Sequence, residues 1–264
     1  MYDFTYHRPT SLANAVKALG KAEDGKFVAG GMTLIPTLKF RLAQPTDLID
    51  LGAIAELKGI KKEKGALVIG AMTTHAEVAA SSEVASAMPA LATLADSIGD
   101  AQVRNRGTLG GSIANADPAA DYPAAVVGLG ATVHTNKRKI AADDFFKAMF
   151  ETALKDDEVV TAVSFPIPKR AGYAKFANPA SRYAIVGVMV SQGDGGLRVA
   201  VTGAGASVFR VTEMEQALSS KFAPDTIEGI SVPADGLNSD LHATAEYRAH
   251  LVTVMAKRAV AAAG

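Results

Sequence analysis

The sequence predicts an α+β fold divided near residue 168. Three observations carry this. Helix and strand signals alternate over the first 55 residues. From Ile54 onward the pattern changes to a hairpin followed by helical stretches. After Pro166-Ile167-Pro168, three strand-like runs precede a final helix. The expected units are lobes of about 1–55 and 56–168, then a segment 169–264 that combines a small antiparallel sheet with helices.

Thr10 and Ser11 follow Pro9 and precede the periodic run Leu12, Ala15, Val16, Leu19, which predicts a capped amphipathic helix ending near Gly20. Lys26–Ala29 reads as a short strand running into Gly30-Gly31. Thr33 is the expected N-cap of a second helix with Pro36 in its first turn, where no intrahelical N–H is lost. Asp47–Leu51 is a further strand. Leu57–Lys62 and Ala66–Gly70, joined by Lys64-Gly65, read as a hairpin. Thr74-His75-Ala76-Glu77 has capping-box spacing. Val84–Ile98 reads as a longer helix with a kink or break at Pro89. Gly99–Pro123 is rich in Gly, Asn, Asp and Pro and poor in periodicity, which predicts a long functional loop. Thr132–Thr135 and Val159–Phe165 read as strands. Beyond the prolines, Tyr173–Phe176, Ile185–Ser191 and Leu197–Thr202 follow, the last two joined by Gly193-Asp194-Gly195-Gly196. Ser239 is the expected cap of a helix running to Ala263.

Composition excludes several function classes. Among 264 residues, 27 Lys and Arg balance 27 Asp and Glu, so neither nucleic acid nor an anionic membrane is an expected partner. Cysteine is absent, which removes disulfides, thiolate nucleophiles and cysteine-held clusters from this chain. The longest apolar stretch, Ala124–Val133, is broken by two glycines and falls short of the roughly 20 residues of a membrane span. Met1–Pro9 carries no secretory pattern, and a cytoplasmic protein is expected. The five histidines show no metal spacing; His242 and His250, eight apart, read as one solvated helix face.

Two glycine-rich segments about 80 residues apart are the site candidates. Ala29-Gly30-Gly31-Met32-Thr33-Leu34 lies between a strand and a helix, where successive N–H groups can converge on an anion. Thr108-Leu109-Gly110-Gly111-Ser112 offers two more glycines for the same anion. The residues after it, Asn115, Asp117 and Asp121, carry groups for ribose or ribityl hydroxyls or ring nitrogens. Alone, a Gly-Gly pair reads more readily as an ordinary strand-to-helix turn, and the second segment equally as a polar surface loop with Asx turns. Gly203-Ala204-Gly205 lacks the third glycine of a dinucleotide fingerprint.

Ala29–Pro36, Thr108–Gly111 with Asp117–Asp121, Tyr173-Ala174-Lys175-Phe176, Ser181-Arg182-Tyr183-Ala184, Val201–Gly205 and Ala245–Arg248 occur in that order. In these motifs the chain resembles the medium, FAD-binding subunit of the molybdenum hydroxylases. That is the family of aerobic carbon monoxide dehydrogenase and of the flavin domain of xanthine dehydrogenase. The resemblance implies a two-lobed FAD-binding domain of vanillyl-alcohol-oxidase type, then three antiparallel strands and a helical bundle. By resemblance, Val28, Ala29, Gly30, Gly31, Met32, Thr33 and Leu34 hold the FAD diphosphate together with Thr108, Leu109, Gly110, Gly111 and Ser112. Asp121 matches an acidic FAD contact, with Asn115 and Asp117 in the same loop, and Val160 an apolar one. Lys175 matches a lysine that adds positive charge near the flavin, and Tyr183 an aromatic at its ring. Both are flavin-tuning candidates; no other catalytic residue and no metal site is expected.

The chain departs from the family pattern at Met32 and Thr33, where many members have Gln or His then Ser, and at Ile98, where some have an aromatic. No histidine or cysteine lies in either glycine loop, so non-covalent FAD is expected. The implied function is electron transfer from the [2Fe–2S] clusters of a small partner subunit to an external acceptor. The molybdenum cofactor would sit on a large partner subunit, and the assembly would be a dimer of heterotrimers. A stand-alone FAD-dependent reductase of related fold and a flavin-free scaffold subunit are the alternatives.

Overall fold

Ser11 opens the first helix as its sequence predicts, accepting a hydrogen bond from the Asn14 amide at 3.3 Å. The structure is a computed structural model that describes residues 1–263. Its first lobe contains β1 (Thr5–His7), α1 (Leu12–Leu19), β2 (Gly25–Val28), α2 (Leu34–Lys39) and β3 (Asp47–Asp50). The strands form a parallel sheet in the order β1-β3-β2, closed over Ala15, Ile49, Ile54 and Leu57. Crossing from β2 through α2 to the parallel β3 puts the Gly30-Gly31 turn at a strand's C-terminal end, where open α/β sheets bind ligands. Thr33 stands at the N-cap of α2, but its side chain makes no capping bond.

The second lobe begins with the predicted hairpin, β4 (Ile60–Glu63) and β5 (Ala66–Gly70). α3 (His75–Ala80) follows, with both capping-box bonds formed by Thr74 and Glu77. The expected helix over Val84–Ile98 is two helices, α4 (Ser82–Ala87) and α5 (Pro89–Asp96), because Pro89 begins the second. The expected loop over Gly99–Pro123 is a larger correction. It holds α6 (Ala101–Arg106), α7 (Leu109–Asn115) and the start of α8 (Tyr122–Gly128). α6 and α7 are under two turns long, too short for a 3.6-residue period to register, and each is started by a cap. Asp100 accepts from the Val103 amide at 2.8 Å, and Thr108 from the Gly111 amide at 3.1 Å.

β6 (Thr132–Thr135), β7 (Lys139–Ala141), α9 (Ala142–Phe145), β8 (Phe146–Ala148), β9 (Glu151–Thr152) and β10 (Val160–Pro166) complete this part. The five-stranded sheet is antiparallel, in the order β4-β5-β10-β6-β7. β11 (Arg170–Ala177), β12 (Ala184–Gly193) and β13 (Gly196–Thr202) form the three-strand meander read from the sequence. A short fourth strand, β14 (Phe209–Arg210), extends it, and α10 (Thr212–Ser220) and α11 (Ala245–Ala262) follow. α11 is capped by Thr244, which accepts from the Tyr247 amide at 3.3 Å, and not by Ser239. His242 therefore precedes the helix and shares no face with His250.

β12 explains its own unbroken apolar run. Every residue from Ala184 to Ser191 is buried, because the sheet is covered on both faces. Val186, Val188 and Val190 pack with Leu251, Val252 and Met255 of α11. Tyr173, Met189 and Ala200 join the core that contains α8, all seven of whose residues are buried. No helix among the described residues is long and apolar enough to cross a membrane.

Candidate functional site

The two glycine segments meet. A methyl group built on Gly111 would lie 3.2 Å from the Ala29 Cβ. One built on Gly30 would lie 2.0 Å from the Arg106 carbonyl oxygen and 2.9 Å from the Gly107 Cα. Residues far apart in sequence are thus in backbone contact, which only a missing Cβ permits. Beside this junction is a cavity of about 590 Å³, within the usual range for small-molecule and cofactor sites.

Ala29, Gly30, Gly31, Met32, Thr33 and Leu34 line the cavity from one side. Gly31 adopts φ +75°, the left-handed conformation that turns successive N–H groups toward one point. Among the described residues, no protein acceptor takes the N–H of Gly30, Gly31, Met32, Thr33 or Leu34. Thr108, Gly110, Gly111 and Ser112 line the opposite side. Contrary to the expectation, the amides of 109–112 are not free; among the described residues only the Thr108 N–H of this segment has no protein acceptor. Leu109 donates to the Thr73 carbonyl at 3.1 Å, Gly110 to Ala71 at 2.8 Å and Ser112 to Thr108 at 3.0 Å. Gly111 donates to the Thr108 hydroxyl at 3.1 Å. The second segment therefore contributes close approach, the Thr108 N–H and hydroxyl-bearing residues, while the first contributes five amides. Leu109 is fully buried in the core and Val28 is buried behind the first segment; neither lines the cavity.

Asn115, Asp117, Asp121 and Tyr183 also line the cavity, and Val160 with Leu154 and Ile98 adds apolar wall. Burial raises the Asp117 carboxyl above the ordinary range, opposed by the Ala119 amide that donates to it at 2.9 Å. Burial also raises Asp121, against the opposing pull of Lys175 and Tyr173. Tyr183 is 43% exposed at the rim, and its phenol is raised by burial and then by these two carboxylates.

Lys175 does not line the cavity as a free cation. Its side chain is 6% exposed and its ammonium contacts Asp121 Oδ1 at 2.9 Å. It also donates to the Ser97 and Arg182 carbonyls, each at 2.9 Å. A lysine buried among three acceptors holds the site together and leaves no donor for a ligand.

His75 is a wall residue that sequence reasoning missed. It is 4% exposed and lies against Gly107, where an added Cβ would come within 2.6 Å of its Nε2. Burial, and then the Arg104 charge, lowers its pKa to about 4, so it is neutral near pH 7. Its Nδ1 and the neighbouring Tyr122 hydroxyl are buried without partners among the described residues. The capping box that starts α3 was legible. The pairing of Thr74 with Thr108 that carries His75 to the junction was not.

Comparison with known proteins identifies the family. Residues 2–168 match the family described as the FAD binding domain in molybdopterin dehydrogenase. The nicotine 6-hydroxylase medium subunit of Paenarthrobacter nicotinovorans is 37% identical, over 98% of this chain and 96% of that one. The carbon monoxide dehydrogenase medium chain of Afipia carboxidovorans is 38% identical, over 97% and 95%. Among solved structures, reconstituted CO dehydrogenase from Oligotropha carboxidovorans superposes with a TM-score of 0.87 at 34% identity, covering 99% of this chain and 98% of that one. Quinoline 2-oxidoreductase from Pseudomonas putida 86 gives 0.88 at 30% identity, covering 99% and 97%. The chain therefore belongs to the FAD-binding medium subunits of the molybdenum hydroxylase family, and is an oxidoreductase subunit.

Proposed function

We propose that the chain binds FAD non-covalently in this cavity and passes electrons from the [2Fe–2S] clusters of a small subunit to an external acceptor. A large molybdenum-cofactor subunit would oxidise the substrate, within a dimer of heterotrimers. The observation that carries the reading is the contact between the two glycine segments, with five unclaimed amides on one side of it.

The residues present suit the cofactor. The free N–H groups of Gly30–Leu34 match a diphosphate. Thr108 and Ser112, which carry hydroxyls, line the same space. Asn115, Asp117 and Asp121 offer acceptors for ribityl hydroxyls or ring N–H groups, and Tyr183 offers an aromatic face at the rim. When bound, the flavin exchanges one or two electrons, which joins one-electron clusters to a two-electron acceptor. The protein's part is to fix its position, to exclude water with the apolar wall and to set the local charge. Because Lys175 is paired with Asp121, local charge is set by that pair and not by an isolated ammonium.

The test is purification of the chain with and without its partner reading frames. A flavin spectrum that survives gel filtration and is released by acid precipitation is the expected result. A chain that takes up no FAD, alone or co-expressed, overturns the reading.

A further inference from the structure

The C-terminal sheet supplies both side-chain donors to a carboxylate of the cavity. Asp121 precedes α8 and lines the cavity, and its side chain is 4% exposed. The Tyr173 hydroxyl, from β11, donates to Asp121 Oδ1 at 2.5 Å. Lys175, two residues along the same strand, reaches that same oxygen at 2.9 Å. Among the described residues Oδ2 takes no side-chain donor, and the Asp121 backbone N–H also supports the carboxylate. The neighbouring strand is cut to fit: a Cβ at Gly187 would lie 2.5 Å from the Tyr173 hydroxyl. Tyr173 is itself 7% exposed, so its hydroxyl has no solvent to turn to.

We propose that Tyr173 is a positioning residue for the cofactor: with Lys175 it occupies one oxygen of Asp121 and leaves the other to accept a hydrogen bond from a flavin N–H or ribityl O–H. This rests on the reading of the cavity as an FAD site. The arrangement decides what Asp121 can do. Burial favours its protonated form, and the two donors on Oδ1 oppose that. The other groups facing it are Asp117 and Tyr183 across the cavity and Tyr122 beside it on α8. None of these three donates to it. Without the Tyr173 hydroxyl, only Lys175 and the Asp121 backbone N–H oppose burial, and the carboxyl stays protonated to higher pH. A protonated carboxyl donates where a carboxylate accepts, so its fit to a ligand N–H or O–H is lost.

The test is FAD affinity of the full, flavin-stripped chain as a function of pH, read by quenching of flavin fluorescence. Affinity that needs an ionised Asp121 rises with pH through the Asp121 pKa. Removing a donor raises that pKa, so the acid limb moves up. In Tyr173→Phe the limb is expected to shift upward by about one pH unit, with affinity at pH 7 falling up to about tenfold and recovering in alkali. Gly187→Ala, which drives a methyl group against the hydroxyl, is expected to reproduce the shift with the phenol still present. Asp121→Asn should remove the limb altogether, and adding Tyr173→Phe to it should change nothing further. A Tyr173→Phe protein whose affinity follows the wild-type curve overturns the positioning role while leaving the FAD reading intact. A wild-type protein that binds no FAD at any pH, either alone or co-expressed with its partner subunits, overturns both.

Discussion

Gly30 has no room for a methyl group. Its missing Cβ faces the Arg106 carbonyl oxygen at 2.0 Å, which is backbone and cannot swing aside. Gly30→Ala is expected to cost roughly 1–3 kcal/mol of stability by overpacking and to abolish FAD retention. Gly229→Ala, where nothing lies within 4 Å, should leave both unchanged. Thermal melts and flavin content of the two variants check this. His75 makes a separate prediction. Its pKa is about 4 when folded, below the ordinary value of 6.5, so the folded state favours the neutral ring. The resulting stability is fully present above about pH 6.5 and is lost as pH falls toward 4, up to about 3 kcal/mol. His75→Gln should flatten that part of the denaturation profile; an unchanged acid limb would sink the assignment. At this scale the glycine pairs were legible because close approach and left-handed turns demand glycine. The engagement of the amides of 109–112 was not, because their acceptors include Ala71 and Thr73, residues that only folding brings alongside.

Among the elements, helix starts were legible where a cap lay beside a periodic run, as at Ser11, or in capping-box spacing, as at Thr74. α6 and α7 were not, since each depends on one cap and on neighbours far along the chain. Ser239 failed because a good capping residue stands at several places before α11, and tertiary contacts choose among them. Asp240 accepts from the His242 and Ala243 amides and from Arg248, which folds the segment before Thr244 back on itself. Thr244→Ala should therefore cost about 1 kcal/mol and Ser239→Ala nothing measurable. Arg248 is a harsher test. It is 4% exposed and donates to the Ile185 and Gly203 carbonyls at 2.6 and 3.0 Å. Arg248→Leu removes a buried donor from those carbonyls and from Asp240, and a loss of about 3 kcal/mol in a denaturant titration is expected.

Across the molecule, the sheet built from β11 to β14 grips the cavity loops from behind. Thr202 donates to the Pro118 and Ala120 carbonyls, and the amides of Gly203 and Ala184 donate to Pro118 and Ala119. Arg182 reaches the Gly99 carbonyl. We infer that residues 1–168 form the flavin-binding domain and 169–264 a second domain, yet a fragment ending at residue 168 should neither melt cooperatively nor retain FAD. α8 is enclosed on all sides, and part of that enclosure is the missing sheet. A sharp melt from the fragment would refute this. The sequence marked the division with two prolines, but residues on either side give no sign of bonding across it. β12 carries the last consequence. A half-buried strand tolerates polar replacements at every second position, and a saturation-mutagenesis map of it shows stripes. Ala184–Ser191 is enclosed above and below, so its map should instead be a solid block, with charged replacements rejected at neighbouring positions alike.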